Sequence, residues 1–116
     1  MIELHIPHQD PIKFAKYVLF KDNLEALVQL SFDTVPSLAM LIEAAAQASG
    51  AFASEQTKLG FVASLKGCKL LQKPTLKELQ AKLTKQYEMG NMHSFDFNIL
   101  QDGIQLAKGS FVLVLE

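Results

Sequence analysis

The chain has 116 residues, of which 49% are hydrophobic and 20% charged, with 11 basic and 12 acidic side chains. That length is typical of one domain, so we expect a single domain over residues 1–116. The net charge of −1, with Lys and Arg scattered along the sequence, argues against nucleic acid as a partner, and the apolar content argues against disorder.

The N-terminal part of the chain shows no basic region followed by an apolar run, so we find no secretory signal. The single cysteine, Cys68, excludes an internal disulfide, and we therefore expect a reducing, cytoplasmic location.

Residues 14–20 and 24–32 are apolar enough to form two strands. We expect them to pair as a hairpin around Lys21-Asp22-Asn23.

The segment Leu38 to Ser54 is nearly all apolar and rich in Ala and Leu, which favour helix. Pro36 and Ser37 precede it as a helix start. A helix that is apolar on almost every face must be enclosed on almost every face. A membrane span is the alternative, but the run is about 17 residues, at the lower limit for spanning, and contains a Glu and a Gln. We therefore expect no membrane association.

The remainder of the chain is predicted to form strands. In 60–71 apolar residues alternate until Gly67, which suggests a bulge. The composition of 78–89 favours helix, yet its residues alternate between apolar and polar with a single break at Lys85, and we predict a strand. Residues 94–99 and 104–115 follow, joined by the hairpin turn Asp102-Gly103.

These elements predict an α+β domain in which an antiparallel sheet curls around one long helix. A single sheet covers one side of a helix and leaves apolar surface exposed. Association with a second chain would bury that surface, so we expect a dimer.

Glu43 is the only ionisable residue between Leu38 and Ser54, inside a helix predicted to be buried. A buried carboxylate must stay protonated or find donors, and such groups often act in acid–base chemistry. Gln47 lies one turn further on the same helix face, where it would orient the carboxylate or bind a ligand carbonyl. A purely structural polar pair is equally compatible with this spacing. Backbone N–H groups near Ser37 and Leu38 are free to polarise a carbonyl oxygen.

The His, Gly, Cys and Lys residues give weaker evidence for a functional site. His5, His8 and His93 lack metal-ligand spacing with Cys or carboxylates, and the glycines stand singly, so we expect neither a metal nor a cofactor. Cys68 is expected to pack rather than react. Lys66, Lys69 and Lys73 form a modest basic cluster that would suit either solvent or an acidic carrier protein.

The run Leu41-Ile42-Glu43-Ala44-Ala45-Ala46-Gln47-Ala48 resembles the signature helix of the hot-dog-fold β-hydroxyacyl-acyl-carrier-protein dehydratases of fatty acid biosynthesis. The segment Ile6-Pro7-His8-Gln9-Asp10-Pro11 resembles their N-terminal Pro-His motif. The stretch from Gly60-Phe61-Val62 to Lys73-Pro74 resembles the strand after their helix. The resemblance therefore covers nearly the whole chain.

The resemblance implies a hot-dog fold and a homodimer, or a higher oligomer of dimers, with a tunnel at the interface. The implied substrate is an acyl thioester on acyl carrier protein or coenzyme A. Glu43 takes the place of the catalytic glutamate. The motif glutamine maps onto Gln47, and we expect Gln47, Ser37, Leu38 and Phe61 to contact the substrate.

One departure affects the expected activity. The family carries a catalytic His in the loop before the helix, whereas residues 29–37 of this chain contain no His. Dehydration needs both a base and an acid, so three hypotheses stay open. The protein is a dehydratase-type enzyme using Glu43, an acyl thioesterase, or a non-catalytic acyl-thioester-binding partner subunit.

Overall fold

The computed structural model describes residues 2–4, 6, 12–52 and 60–115. Within these ranges the chain forms seven strands and one α-helix: β1 (Ile2–Glu3), β2 (Ala15–Lys21), β3 (Glu25–Ser31), α1 (Leu38–Ala48), β4 (Gly60–Leu70), β5 (Glu78–Met89), β6 (Met92–Gln101) and β7 (Ile104–Leu115). A short 3₁₀ turn, Ser49–Phe52, continues from α1. The strands form one antiparallel sheet in the order β1-β2-β3-β5-β6-β7-β4. The predicted α+β architecture is confirmed.

The predicted hairpins are confirmed, and local chemistry explains their turns. Asp22 directly follows β2 in the β2–β3 turn, and its Oδ1 accepts the N–H groups of Glu25 at 2.7 Å and Leu24 at 2.8 Å. These two bonds lower the pKa of Asp22, because they favour the ionised carboxylate. Asp102 and Gly103 both have positive φ, at 50° and 81°, as the tight β6–β7 turn requires.

Two irregularities in the strands coincide with breaks in the sequence alternation. Gly67 has a φ of 63°, and the β4–β7 register shifts between Lys66 and Lys69, which confirms the predicted bulge. The β5–β6 register shifts between Lys85 and Tyr87, at the one break in the β5 pattern. The prediction of a strand at 78–89 is confirmed, since pairing with β3 and β6 outweighs its helical composition.

Helix α1 lies across one face of the sheet. Its small buried residues Ala44, Ala45 and Ala48 let the sheet approach closely. On the sheet side, Phe95, Phe97 and other large apolar side chains fill the core. Ser37 caps the helix, because its Oγ accepts the N–H of Met40 at 3.3 Å.

The predicted extent and enclosure of the helix need correction. The α-helix is eleven residues long and ends at Ala48, and residues 53–59 lie outside the described part of the chain. Enclosure on almost every face is also wrong for the single chain, because the sheet covers only one side. The outward side shows Ala39 and Glu43 exposed, with Ile42 and Ala46 half-buried. Among the described residues, no helix has the length and apolar character needed to cross a membrane.

Apolar side chains are exposed along β4, which lies at one edge of the sheet. Phe61 is 55% exposed and Leu65 51% exposed, and Leu70 and Leu71 continue the apolar surface. No other strand of the described chain pairs with the outer edge of β4. These exposed apolar side chains therefore lie along an edge that is able to accept another strand.

Candidate functional site

Gln47 is a buried polar side chain of the predicted site. It is 3% exposed, and its Oε1 accepts the N–H groups of Phe14 at 2.7 Å and Ala15 at 3.2 Å. Its Nε2 donates to the carbonyl of Ile12 at 2.7 Å and to Glu43 Oε1 at 3.3 Å. These four bonds use both oxygen lone pairs and both amide protons. Gln47 is thus engaged entirely within the chain, which favours an orienting role over direct contact with a ligand.

Glu43 lies on the outward side of α1, one turn before Gln47. The predicted burial of this carboxylate is wrong for the single chain, because the sheet covers the opposite side of the helix. Its residue neighbours on that side are apolar or small, namely Ala39, Ile42 and Ala46. The hydrogen bond from Gln47 orients the carboxylate.

At the start of the helix, Ser37 and Leu38 are less available for contact with a ligand than the sequence suggests. The Ser37 hydroxyl is occupied in capping Met40, and Ser37 itself is exposed. Leu38 is half-buried and packs against the core. The structure places both residues one to two turns before Glu43 on the same helix.

Phe61 is on the other side of the sheet from Glu43. Its neighbour Val62 packs against the core, and successive residues of a strand point to opposite faces, so Phe61 points away from α1. It lies opposite Val114 of β7. One chain does not bring Phe61 and Glu43 together. The Pro-His segment that resembles the dehydratase motif, with His8, lies outside the described residues.

A second group of ionisable side chains was not predicted as a site. The β5–β6 register places Glu88 directly opposite His93, and Glu88 Oε1 lies 3.0 Å from His93 Nδ1 and 2.8 Å from Lys85 Nζ. The hydrogen bond from Lys85, followed by the charges of Lys85 and His93, lowers the pKa of Glu88. The hairpin turn at Gly90-Asn91 was the signal in the sequence, since pairing outward from it brings residues 88 and 93 together.

The sequence also led to expectations about Cys68 and about metal binding. Cys68 is half-buried in the β4 bulge, where its sulfur lies near the backbone of Gly109. Within the described ranges, no group of three or more His, Cys, Asp or Glu side chains is arranged to hold a metal ion.

Comparison with known proteins identifies solved structures whose fold is similar to that of this chain. No protein-family model matches the chain, and no curated protein matches its sequence. The dehydratase heterocomplex ApeI:P from Xenorhabdus doucetiae matches with a TM-score of 0.82 at 17% identity, over 96% of this chain and 88% of that one. The dehydratase domain of RzxB from Pseudomonas fluorescens matches with a TM-score of 0.73 at 18% identity, over 94% and 42% of the two chains.

A third match is a hypothetical thioesterase from Streptococcus pneumoniae, solved with coenzyme A. Its TM-score is 0.66 at 15% identity, over 85% of this chain and 84% of that one. These structural neighbours are hot-dog-fold proteins of the dehydratase and thioesterase type. The chain has the hot-dog fold, as its resemblance to the dehydratases implied.

Proposed function

We propose that this protein processes acyl thioesters as a dehydratase-type hydro-lyase, with Glu43 as its acid–base group. The observation that carries the proposal is the Gln47–Glu43 hydrogen bond of 3.3 Å on a helix face that is otherwise apolar or small. The hot-dog fold shared with two dehydratases and a thioesterase supports the same class of chemistry.

The geometry is suited to proton transfer next to an acyl chain. Dehydration removes a proton from the α-carbon of a hydroxyacyl thioester and expels the β-hydroxyl as water. A carboxylate in a fixed orientation is able to perform either transfer. Gln47 supplies that orientation, because three backbone groups on the segment before and into β2 hold it in place. Ile42 and Ala46 provide apolar surface beside Glu43.

The other predicted site residues, Ser37, Leu38 and Phe61, are proposed to contact the substrate. Under this proposal the N–H groups at Ser37 and Leu38 face the thioester carbonyl, and Phe61 contacts the acyl chain from a second chain of the protein. The thioester is carried by acyl carrier protein or coenzyme A, and the neighbour solved with coenzyme A supports a carrier of this kind. No resident cofactor is needed, because the α-proton that is removed is balanced by the proton that the leaving β-hydroxyl takes, and water is the only other product.

We further propose that the active form is a homodimer joined along β4. The exposed apolar side chains of this strand and its unpaired outer edge support such pairing, since exposed edges and apolar patches are normally covered. Pairing there would add the second chain's strands to the sheet.

Two other functions have specific support. An acyl thioesterase needs one carboxylate to activate water, which Glu43 provides, and one structural neighbour is a hypothetical thioesterase. A non-catalytic partner subunit is consistent with the absence of His from residues 29–37, and another neighbour is a dehydratase heterocomplex.

Incubation with 3-hydroxyacyl and saturated acyl thioesters of several chain lengths separates these functions. Enoyl thioester as product supports the dehydratase, free thiol supports the thioesterase, and binding without turnover supports the partner subunit. Glu43→Gln should reduce enoyl formation by about 100-fold or more, the range typical for loss of an acid–base group.

Glu25→Gln is the matched control, because it removes an exposed carboxylate that pairs only loosely, at 3.8 Å, with Lys82. It should leave turnover unchanged. Equal activity in Glu43→Gln and the unaltered protein would refute the assignment of Glu43.

A further inference from the structure

The ionisable cluster formed by Lys85, Glu88 and His93 lies on the helix side of the sheet. Lys85 is directly opposite Phe95, a core residue, and directly opposite residues share a face. His93 precedes Phe95 by two residues on β6 and therefore points to the same face. Glu88, opposite His93, does so as well. Three polar side chains are thus aligned on a face that is apolar over the rest of the core.

The hydrogen bond within the cluster determines the state of the imidazole. A carboxylate only accepts hydrogen bonds, so the 3.0 Å contact requires that His93 Nδ1 carries the proton. In the neutral ring, Nε2 is then the unprotonated nitrogen. Lys85 binds the same carboxylate oxygen at 2.8 Å and favours its ionised form. Nε2 makes no hydrogen bond to any residue in 2–4, 6, 12–52 or 60–115.

Apart from Glu88 and Lys85, the neighbours of His93 on this face of the sheet are apolar. Leu113 lies directly opposite it on β7, and the rings of Phe95 and Phe52 stack at 5.4 Å further along the same face. The His93 side chain is 18% exposed, so a small part of the ring is accessible from outside. A carboxylate-oriented imidazole beside apolar surface, whose Nε2 has no hydrogen-bond partner in the described part of the chain, is the arrangement that general bases use.

We propose that His93 is a general base for hydrolysis of acyl thioesters, with Glu88 as its positioning residue. In this reaction Nε2 takes a proton from water while the water oxygen bonds to the thioester carbonyl carbon. The carbon–sulfur bond then breaks, and the leaving sulfur takes the proton back from the imidazolium. The products are a carboxylic acid and a thiol. The inference rests on the proposed acyl-thioester function but uses a site separate from Glu43.

Thiol release from saturated acyl-coenzyme A of several chain lengths, followed with a thiol reagent, tests the proposal. His93→Asn should lower thiol release by about 100-fold, whereas Glu25→Gln should leave it within about twofold of the unaltered protein. Glu88→Gln should lower the rate by about tenfold. It should also change the pH profile, because the imidazole loses the carboxylate that sets its tautomer. His5→Asn is the matched control and should have no effect.

Carbethoxylation of histidine by diethyl pyrocarbonate gives a second readout that needs no thioester. His93 should react, and more slowly in Glu88→Gln. The proposal is overturned if the unaltered protein releases no thiol, or if His93→Asn releases it at the normal rate. It is also overturned if Glu88→Gln changes neither the pH profile nor the carbethoxylation rate. Enoyl formation that depends on Glu43 would leave the proposed function intact in each of these cases.

Discussion

Replacing Gln47 by Leu should destabilise the protein more than the loss of one hydrogen bond would. Leu has a similar volume but neither donates nor accepts hydrogen bonds, so the N–H groups of Phe14 and Ala15 and the carbonyl of Ile12 lose their partner. Ala15 is fully buried, and an unpaired buried N–H costs about 2 kcal/mol. The other two groups are near partly buried positions where water is able to replace part of the bond.

These contributions add to about 3 kcal/mol, counting about 0.5 kcal/mol for each partly hydrated group. A domain of this size is typically stable by about 5–15 kcal/mol, so the variant should fold but unfold at lower denaturant. With about 4 °C of melting temperature per kcal/mol, Tm should fall by about 10 °C.

Urea denaturation followed by circular dichroism measures the loss, and hydrogen exchange locates it. The amides of Phe14 and Ala15 should exchange much faster in the variant than in the unaltered protein. Gln29→Leu is the matched control, since the Gln29 amide donates only to the carbonyls of Leu30 and Leu79, at 3.2 and 3.0 Å. Its loss should cost about 1 kcal/mol or less. A Gln47→Leu variant no less stable than the Gln29→Leu control would refute the argument that Gln47 ties α1 to β2.

Three further predictions concern packing, pH dependence and association. A Cβ at Gly50 would lie 2.7 Å from Ile6 Cγ2, so Gly50→Ala should destabilise by about 1 kcal/mol in urea denaturation. The loss should be smaller when Ile6 is shortened to Ala, which removes Cγ2. The pKa of Glu88 is lowered from its ordinary value of 4.5, so its contribution to stability is complete above pH 4.5 and is lost as the pH falls through the lowered value. Glu88→Gln should therefore reduce the decrease of Tm at acid pH. An unchanged decrease of Tm at acid pH would contradict this reasoning. Leu65→Lys should convert the expected dimer to a monomer in light scattering, whereas Ile104→Lys, equally exposed at the β6–β7 turn, should leave it dimeric.

The strands were predictable because their signals are local. At β5 the alternation of apolar and polar residues prevailed over helical composition, and even its single break at Lys85 marked the register shift. The turn residues Asp102 and Gly103 have the positive φ that their types allow. Backbone preference and period-two burial are both written into short stretches of sequence.

The surroundings of the helix were not predictable in the same way. Leu38 to Ser54 is apolar on nearly every face, so composition alone could not tell which side the sheet would cover. The sheet covers Leu41, Ala44 and Ala48 and leaves Glu43 outward, which reversed the prediction of a buried carboxylate. The partners of Gln47 at Ile12, Phe14 and Ala15 are more than thirty positions away in the chain.

The sequence by itself therefore determined the order and type of the elements, the α+β architecture and the pairing of Glu43 with Gln47 on one helix face. Only the tertiary structure decided that Gln47 is locked to the backbone before β2, that Phe61 points away from Glu43, and that His93 shares a carboxylate with Lys85. The physical reason is the range of the interactions. Helix and strand periodicity act over a few residues, whereas burial and long-range hydrogen bonds depend on which segments the folded sheet brings together.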